Sequence, residues 1–165
     1  ILPALEAGTI DAAEWCCPKP DMVFGFQKVL KHYYLQGLHQ VVVNADVYIN
    51  GDVYKSLTPI QKKAFEVASN ASLSKSMSYR IYENGKALAE LTGKHGVILH
   101  DTPADYFPAY MAAAKKSLET NAAKNKFFAK VWQSQKDFAD IAVPFWSGAQ
   151  MSNAKLGMAH AATLK

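Results

Sequence analysis

Two hydrophobic periods alternate along the first fifty residues, and together they indicate an α/β protein. Apolar residues recur at helical spacing after a turn predicted at residues 18–21, and they predict a helix over residues 22–35 that ends near Gly37. Apolar and polar residues then alternate over residues 39–50, which predicts a strand with one buried face. Asn50 and Gly51 form a turn signal that ends this strand.

The rest of the chain is predicted to be mostly helical. Thr58 can cap a helix, Pro59 fits its first turn and Gln61 completes a capping box, so a helix of roughly 25–33 residues is expected from there. Residues 96–100 predict a short buried strand, and helix formers fill residues 104–142, with joints at Pro108 and at residues 121–125. Pro144 is expected to end this helix, leaving a tail that is either frayed or a short amphipathic helix.

The first fifteen residues predict a helix, a left-handed glycine and a short apolar strand. Gly8 suits the conformation that closes many helices, because it has no Cβ. The strand would deliver Glu14 and Trp15 side by side, and a carboxylate beside an indole is a candidate ligand-binding corner. Residues 1–7 make only about two turns, well below the ~12–15 residues at which isolated helices become marginal, so packing partners upstream of residue 1 are expected.

Composition places the chain among ordinary globular domains with a core. Of 165 residues, 50% are hydrophobic and 19% are charged, and no apolar run reaches the ~18 residues of a membrane span. The net charge of +4 comes from scattered lysines and one arginine, Arg80, a pattern that argues against nucleic-acid binding. The start shows no signal peptide, which leaves a cytosolic, a processed or an incomplete chain open.

Motifs for metal or nucleophile chemistry are lacking in the sequence. The neighbours Cys16 and Cys17 cannot form an ordinary disulfide, and no C-x-x-C spacing accompanies them. The five histidines show no H-x-x-x-H or H-E-x-x-H pattern, and neither a nucleophile elbow nor a nucleotide-binding glycine motif occurs. Two or three strands, far apart in sequence, are few for a sheet buried on both faces, so further strands are expected outside this chain.

Three segments carry a family resemblance: residues 4–15, residues 25–34 (Gly-Phe-Gln-Lys-Val-Leu-Lys-His-Tyr-Tyr), and Gly37 followed by His39-Gln40. They resemble the second half of the periplasmic solute receptors of TRAP transporters, in the branch that binds 2-oxo acids and related carboxylates. The resemblance implies a two-lobed α/β periplasmic binding protein of class II-like type, about twice this length, with ligand held between its lobes. This chain would be its C-terminal half, with hinge strands and long C-terminal helices.

The resemblance also implies a division of the chain. Residues 1–50 would supply hinge strands, a connecting helix and part of the ligand cleft. Residues 51–101 would form a long helix and a strand of one lobe. Residues 102–165 would form C-terminal helices that span the hinge or mediate dimerisation.

Site residues follow from the same resemblance. Glu14 would be a carboxylate ligand to a sodium or calcium ion, Trp15 would give its carbonyl to the ion and its ring to the cleft wall, and Gln40 would contact metal or ligand. The family clamps the substrate carboxylate with an arginine. Arg80, inside the long predicted helix, is not given that role, and the clamp is expected in the missing half.

The function implied is a receptor and not an enzyme. It would capture an organic acid, such as pyruvate or another 2-oxo acid, with a metal ion in the periplasm, and deliver it to the TRAP membrane permease; a homodimer through the C-terminal helices is expected. One alternative is a helical dimerisation module without a small-molecule ligand. Another is a metal-dependent enzyme on 2-oxo acids, with Glu14 as metal ligand and a histidine as base. The sequence leaves open which acid and which ion are bound.

Overall fold

Helices dominate the computed structural model, which describes residues 1–35, 37, 43 and 45–164. The helices are α1 (Leu2–Glu6), α2 (Pro18–Phe24), α3 (Gly51–Ser56), α4 (Pro59–Gly93), α5 (Tyr106–Lys124) and α6 (Lys126–Thr163), with a 3₁₀ turn at Phe26–Lys28. The strands are β1 (His32–Tyr34) and β2 (Ile98–His100). The chain divides into two compact units, Ile1–Thr102 and Pro103–Lys165.

The sheet of the first unit consists of β1 and β2 in parallel, with Tyr33 opposite Leu99. Parallel strands need a long crossover, and α3 and α4 lie within it. The predicted buried strand at residues 96–100 is therefore present but shorter, and it is only partly buried. Val97 is buried before the strand begins, whereas Ile98 and Leu99 are exposed.

The core of the first unit lies between α2 and the C-terminal part of α4. Ala87 and Leu91 of α4 are 2% and 3% exposed, and Leu5 and Val97 are buried as well. Polar contacts join the same two helices, because Asn84 Oδ1 of α4 accepts a hydrogen bond of 2.9 Å from the backbone N–H of Lys19 in α2. The long helix α4 thus anchors α2.

The beginning of the chain agrees with the prediction as far as Gly8. Helix α1 ends at Glu6, and Gly8 follows at φ +66° with its N–H donating to the carbonyl of Leu5 at 3.1 Å. The predicted strand that follows is wrong, because residues 9–17 form a loop. The amides of Cys16 and Cys17 bond to a carboxylate on α2 and not to a neighbouring strand.

Helix α2 is offset from its prediction at both ends. The segment predicted as a turn, residues 18–21, is already helical, with a proline in the first turn, a position where the missing N–H costs nothing. The helix predicted to reach residue 35 ends at Phe24, because Gly25 adopts the left-handed conformation at φ +88°. Residues 32–34, predicted as helix, form β1 instead.

The strand predicted at residues 39–50 falls partly outside the described residues, and the described part of it is not a strand. Residues 39–42 and 44 lie outside the described residues, and residues 45–50 form no strand. Asn50 begins helix α3, because its Oδ1 accepts from the amides of Asp52 and Val53 at 2.9 and 3.2 Å. The Asn50–Gly51 signal therefore marks a helix start and not only a turn.

Helix α4 confirms the capping-box prediction. The Gln61 amide donates to Thr58 Oγ1 at 3.3 Å, and the Thr58 amide donates to Gln61 Oε1 at 2.9 Å. The helix runs for 35 residues, slightly longer than predicted. Most of its apolar side chains before the core are exposed, Ile60, Leu73 and Ile81 among them.

The second unit consists of α5 packed against α6. The joint predicted at residues 121–125 is confirmed, since Asn125 ends α5 and caps α6 by accepting from the amides of Phe127 and Phe128. Pro108 lies in the first turn of α5 and forms no joint. The predicted end at Pro144 is wrong, because α6 continues to Thr163, and the tail is helical. A single proline removes one ladder bond at a cost of about 3 kcal/mol, which the remaining turns of a 38-residue helix absorb.

None of the helices in the described part of the chain has the length and apolar character needed to cross a membrane.

Candidate functional site

A cavity of about 670 Å³ in the first unit brings the predicted carboxylate and indole together. One wall is the loop after α1, which includes Glu14 and Trp15. Another wall is β1 with the residues before it, and Leu91 and Val97 contribute apolar surface. The cavity combines apolar walls with a few polar groups, as small-molecule sites do.

The indole of Trp15 is fixed from one side. It packs edge-to-face on Phe24, with ring centroids 5.0 Å apart and an interplanar angle of 74°. Phe24 is the last residue of α2, so the orientation of the indole depends on where this helix ends. Trp15 remains 47% exposed and offers ring surface for further contacts.

Asp21, in the first turn of α2, is a buried carboxylate that lines the cavity and is only 8% exposed. Its Oδ1 accepts from the amides of Cys16 and Cys17, each at 3.3 Å. Its Oδ2 accepts from the Tyr33 hydroxyl of β1 at 2.6 Å. The carboxylate thus joins the loop to the sheet.

Burial governs the ionisation of this pair. Removal from water raises the pKa of Asp21 above its ordinary value; the Tyr33 and backbone hydrogen bonds oppose this shift, and the charge of Glu14 adds to it. Burial also raises the pKa of Tyr33, and the hydrogen bond to Asp21 raises it further. The tyrosine therefore stays protonated and donates to the carboxylate.

Gln27 is a second buried polar residue in the cavity wall, 9% exposed. Its Nε2 donates to the carbonyl of Met22 at 3.2 Å, and no atom of the described residues donates to its Oε1. Next to it, Lys31 Nζ donates to the carbonyls of Gln27 and His95, at 2.9 and 3.0 Å. The lysine ties the start of β1 to the segment before β2.

The strand pairing also brings two histidines together. His32 Nδ1 lies 2.8 Å from His100 Nε2, and Tyr34 stacks on the His100 ring at 5.0 Å. The sequence showed no histidine pair, because these two residues are 68 positions apart and meet only through β1 and β2.

Only some of the site residues predicted from the sequence line the cavity. Glu14 and Trp15 line one cavity, whereas Gln40 lies outside the described residues. Arg80 is on α4, where its Nη2 is 3.9 Å from Cys17 Sγ, and it is not among the described residues that line the cavity. Sequence reasoning missed Asp21 and Tyr33, because the burial of Asp21 depends on a strand that had been predicted as helix.

The donor chemistry of the loop fits a hard cation better than zinc. The described ranges contain no group of three or more His, Cys, Asp or Glu residues that could hold a metal. Sodium and calcium take carbonyl, amide and ligand oxygens besides carboxylates, so they do not need such a group. Glu14 and Trp15, which carry a carboxylate and a backbone carbonyl oxygen, both line the cavity.

The chain belongs to the family of bacterial extracellular solute-binding proteins, family 7 (DctP), whose profile matches residues 1–125. It is 31% identical over 140 residues to a monocarboxylate 2-oxoacid-binding periplasmic protein of Nostoc sp. strain PCC 7120. That match covers 82% of this chain and 37% of the relative. The family and this relative are both described as binding proteins.

Two solved TRAP transporter solute-binding proteins have the same fold. One, from Bordetella bronchiseptica RB50, is 26% identical with a TM-score of 0.84, over 99% of this chain and 48% of the other; it is a mixed-occupancy dimer with calcium and picolinate in one site. The second, from Pseudoalteromonas atlantica T6c, is 25% identical with a TM-score of 0.74, over 94% and 47% of the two chains. It holds sodium and pyruvate.

These likenesses confirm the predicted fold class, a periplasmic binding-protein type of which this chain spans about half the length. They do not favour an isolated helical module or an enzyme, because the matching family and the three relatives named above are solute-binding proteins.

Proposed function

We propose that this chain is part of a periplasmic receptor that binds a small organic acid together with a sodium or calcium ion and delivers it to a TRAP membrane permease. The observation that carries the proposal is the cavity that Glu14 and Trp15 line within a family 7 solute-binding chain. The Pseudoalteromonas protein holds pyruvate, the Bordetella protein holds picolinate, and the Nostoc protein binds monocarboxylate 2-oxo acids, so a small monocarboxylate is the class expected here.

The site residues have distinct proposed roles. Glu14 gives a carboxylate oxygen to the ion, and Trp15 gives its backbone carbonyl to the ion and its ring to the wall of the cleft. Gln40 supplies a further contact to the ion or the acid. The bound cation supplies positive charge for the carboxylate of the acid, and the protein itself performs no chemical step.

The remaining segments are assigned by the same proposal. Residues 1–50 carry the hinge and part of the cleft, residues 51–101 belong to one lobe, and residues 102–165 span the hinge or pair two copies. Homodimerisation through α5 and α6 is supported by the dimer of the Bordetella protein and by exposed apolar residues on α6, such as Phe138 and Ile141.

The test is Glu14→Gln in the natural protein that contains this chain. Pyruvate is titrated by calorimetry with excess calcium, with excess sodium, and with neither ion. The parent should bind one equivalent only when an ion is present, and the variant should lose affinity by about tenfold to a hundredfold, because it removes a charged ligand.

Glu6→Gln is the matched control, since Glu6 is exposed on α1 and does not line the cavity. This control should bind like the parent. Unchanged affinity in Glu14→Gln would remove Glu14 from the site, and turnover of the 2-oxo acid would contradict a receptor.

A further inference from the structure

We propose that Asp21 is a positioning residue, which holds the loop bearing Glu14 and Trp15 in its binding geometry. The inference rests on the proposed function, because it concerns the same site. It goes further by placing the control of this site on a buried side chain whose two oxygens are bonded to the loop and to Tyr33.

The geometry at the end of the loop supports this role. The two amides that bond to Asp21 Oδ1 belong to Cys16 and Cys17, the residues directly after Trp15. Two consecutive amides that share one acceptor fix the direction of the peptide between them. Since the Trp15 carbonyl belongs to the peptide that ends in the Cys16 amide, its direction is fixed as well.

The second oxygen of Asp21 connects the loop to the sheet. The Tyr33 hydroxyl binds Oδ2 at 2.6 Å, and Tyr33 lies in β1 opposite Leu99 of β2. Helix α2 therefore fixes the loop twice: Asp21 holds the backbone after Trp15, and Phe24 holds the indole.

A purely structural role is the competing explanation, and the chain offers a control for it. Asn84 Oδ1 accepts from the Lys19 amide at 2.9 Å, so it supports the same helix from α4 through a residue outside the loop. Asn84→Ala should lower the stability of α2 and leave ligand affinity unchanged if the loop contacts of Asp21 are what matter.

The experiment uses the natural protein and two readouts. Hydrogen exchange of the Cys16 and Cys17 amides is measured without ligand, and pyruvate affinity is measured in excess calcium. Asp21→Ala should accelerate exchange of both amides and weaken pyruvate binding about tenfold or more. Asp21→Asn keeps an oxygen acceptor and should restore slow exchange and near-parental affinity.

Tyr33→Phe replaces Asp21→Ala as the test variant if Asp21→Ala does not fold. It removes the bond to Oδ2 alone, and it should also speed exchange of the two amides. The inference would be overturned if the Cys16 and Cys17 amides of Asp21→Ala exchanged as slowly as those of the parent. It would also be overturned if the pyruvate affinity of Asp21→Ala stayed within twofold of the parent. An equal loss of affinity in Asn84→Ala would overturn it as well.

Failure of the proposed function would look different. If the parent itself bound no 2-oxo acid with either ion, the receptor proposal would fall, whereas the exchange rates would still decide whether Asp21 holds the loop.

Discussion

Among the side chains in the described part of the chain, Asp21 combines an ionisable carboxyl group with burial. A carboxylate that is 8% exposed loses most of its hydration, and it is retained because three donors replace the water. A buried donor or acceptor without a partner costs about 1–3 kcal/mol. The hydrogen bonds of Asp21 therefore stabilise the fold by satisfying these groups, even though burial of the carboxylate is itself unfavourable.

The raised pKa of Asp21 predicts how stability depends on pH. Its pKa in the folded protein lies above the ordinary 3.8, so the folded state holds this proton more tightly than the unfolded state. The contribution of Asp21 to stability is therefore largest below 3.8 and falls as pH rises through the folded pKa. Asp21→Asn lacks this titration, and its free energy of unfolding relative to the parent should rise over that window.

Urea unfolding of both proteins at a series of pH values measures this difference. Tyr33 and the amides of Cys17 and Cys16 hydrogen bond to this carboxyl, and Glu14 adds a like charge; all four residues are the same in both proteins. A parent that gained stability over Asp21→Asn with rising pH would contradict the raised pKa.

Among the helices, α4 shows how far a local signal determines an element. The capping box satisfies amides at the helix start that have no partner within the helix. Thr58→Ala removes the acceptor for the Gln61 amide and should lower the free energy of unfolding by about 0.5–2 kcal/mol. Denaturant unfolding measures the loss, and Thr58→Ser, which retains the hydroxyl, should recover most of it; equal losses in both variants would show that the cap is not responsible.

The sequence predicted the features that depend on neighbouring residues and missed those that depend on residues far apart in the chain. Thr58, Asn125 and Gly8 act on their immediate neighbours, and the structure confirms a helix boundary at each. Strand β1 was missed because it forms only by pairing with β2, across the whole of α4. Gly25 is a local signal against the longer helix. Its left-handed conformation ends α2, although the spacing of apolar residues predicts a helix that continues past it.

The candidate site follows the same rule. Glu14 and Trp15 are neighbours in sequence, and a motif could identify them, whereas the support from Asp21 and Tyr33 depends on the three-dimensional arrangement of α2 and β1. Gln40 remains a prediction, because it lies outside the described residues.

Considered as one chain, the protein leaves long apolar helix faces exposed. Phe65, Leu73 and Met77 on α4 and Phe145 and Trp146 on α6 are all exposed, and the chain spans about half the length of its solved relatives. Exposed apolar surface on this scale is typical of surfaces that pack against other protein. A two-lobed receptor of the relatives' length provides such surface, in keeping with the proposed function.

Such a receptor should be stabilised by its ligand in a way that separates ion from acid. Binding to the folded state alone adds about 2.7 kcal/mol at a ligand concentration of a hundred times Kd. If the ion completes the acid site, pyruvate should raise the melting temperature of the natural protein strongly when calcium or sodium is present and little when both are replaced by a bulky organic cation. A neutral ketone that lacks the carboxylate should have no effect with either ion. An equal rise without the ion would mean that the acid is held by protein groups alone, and then Glu14 would have no metal to bind.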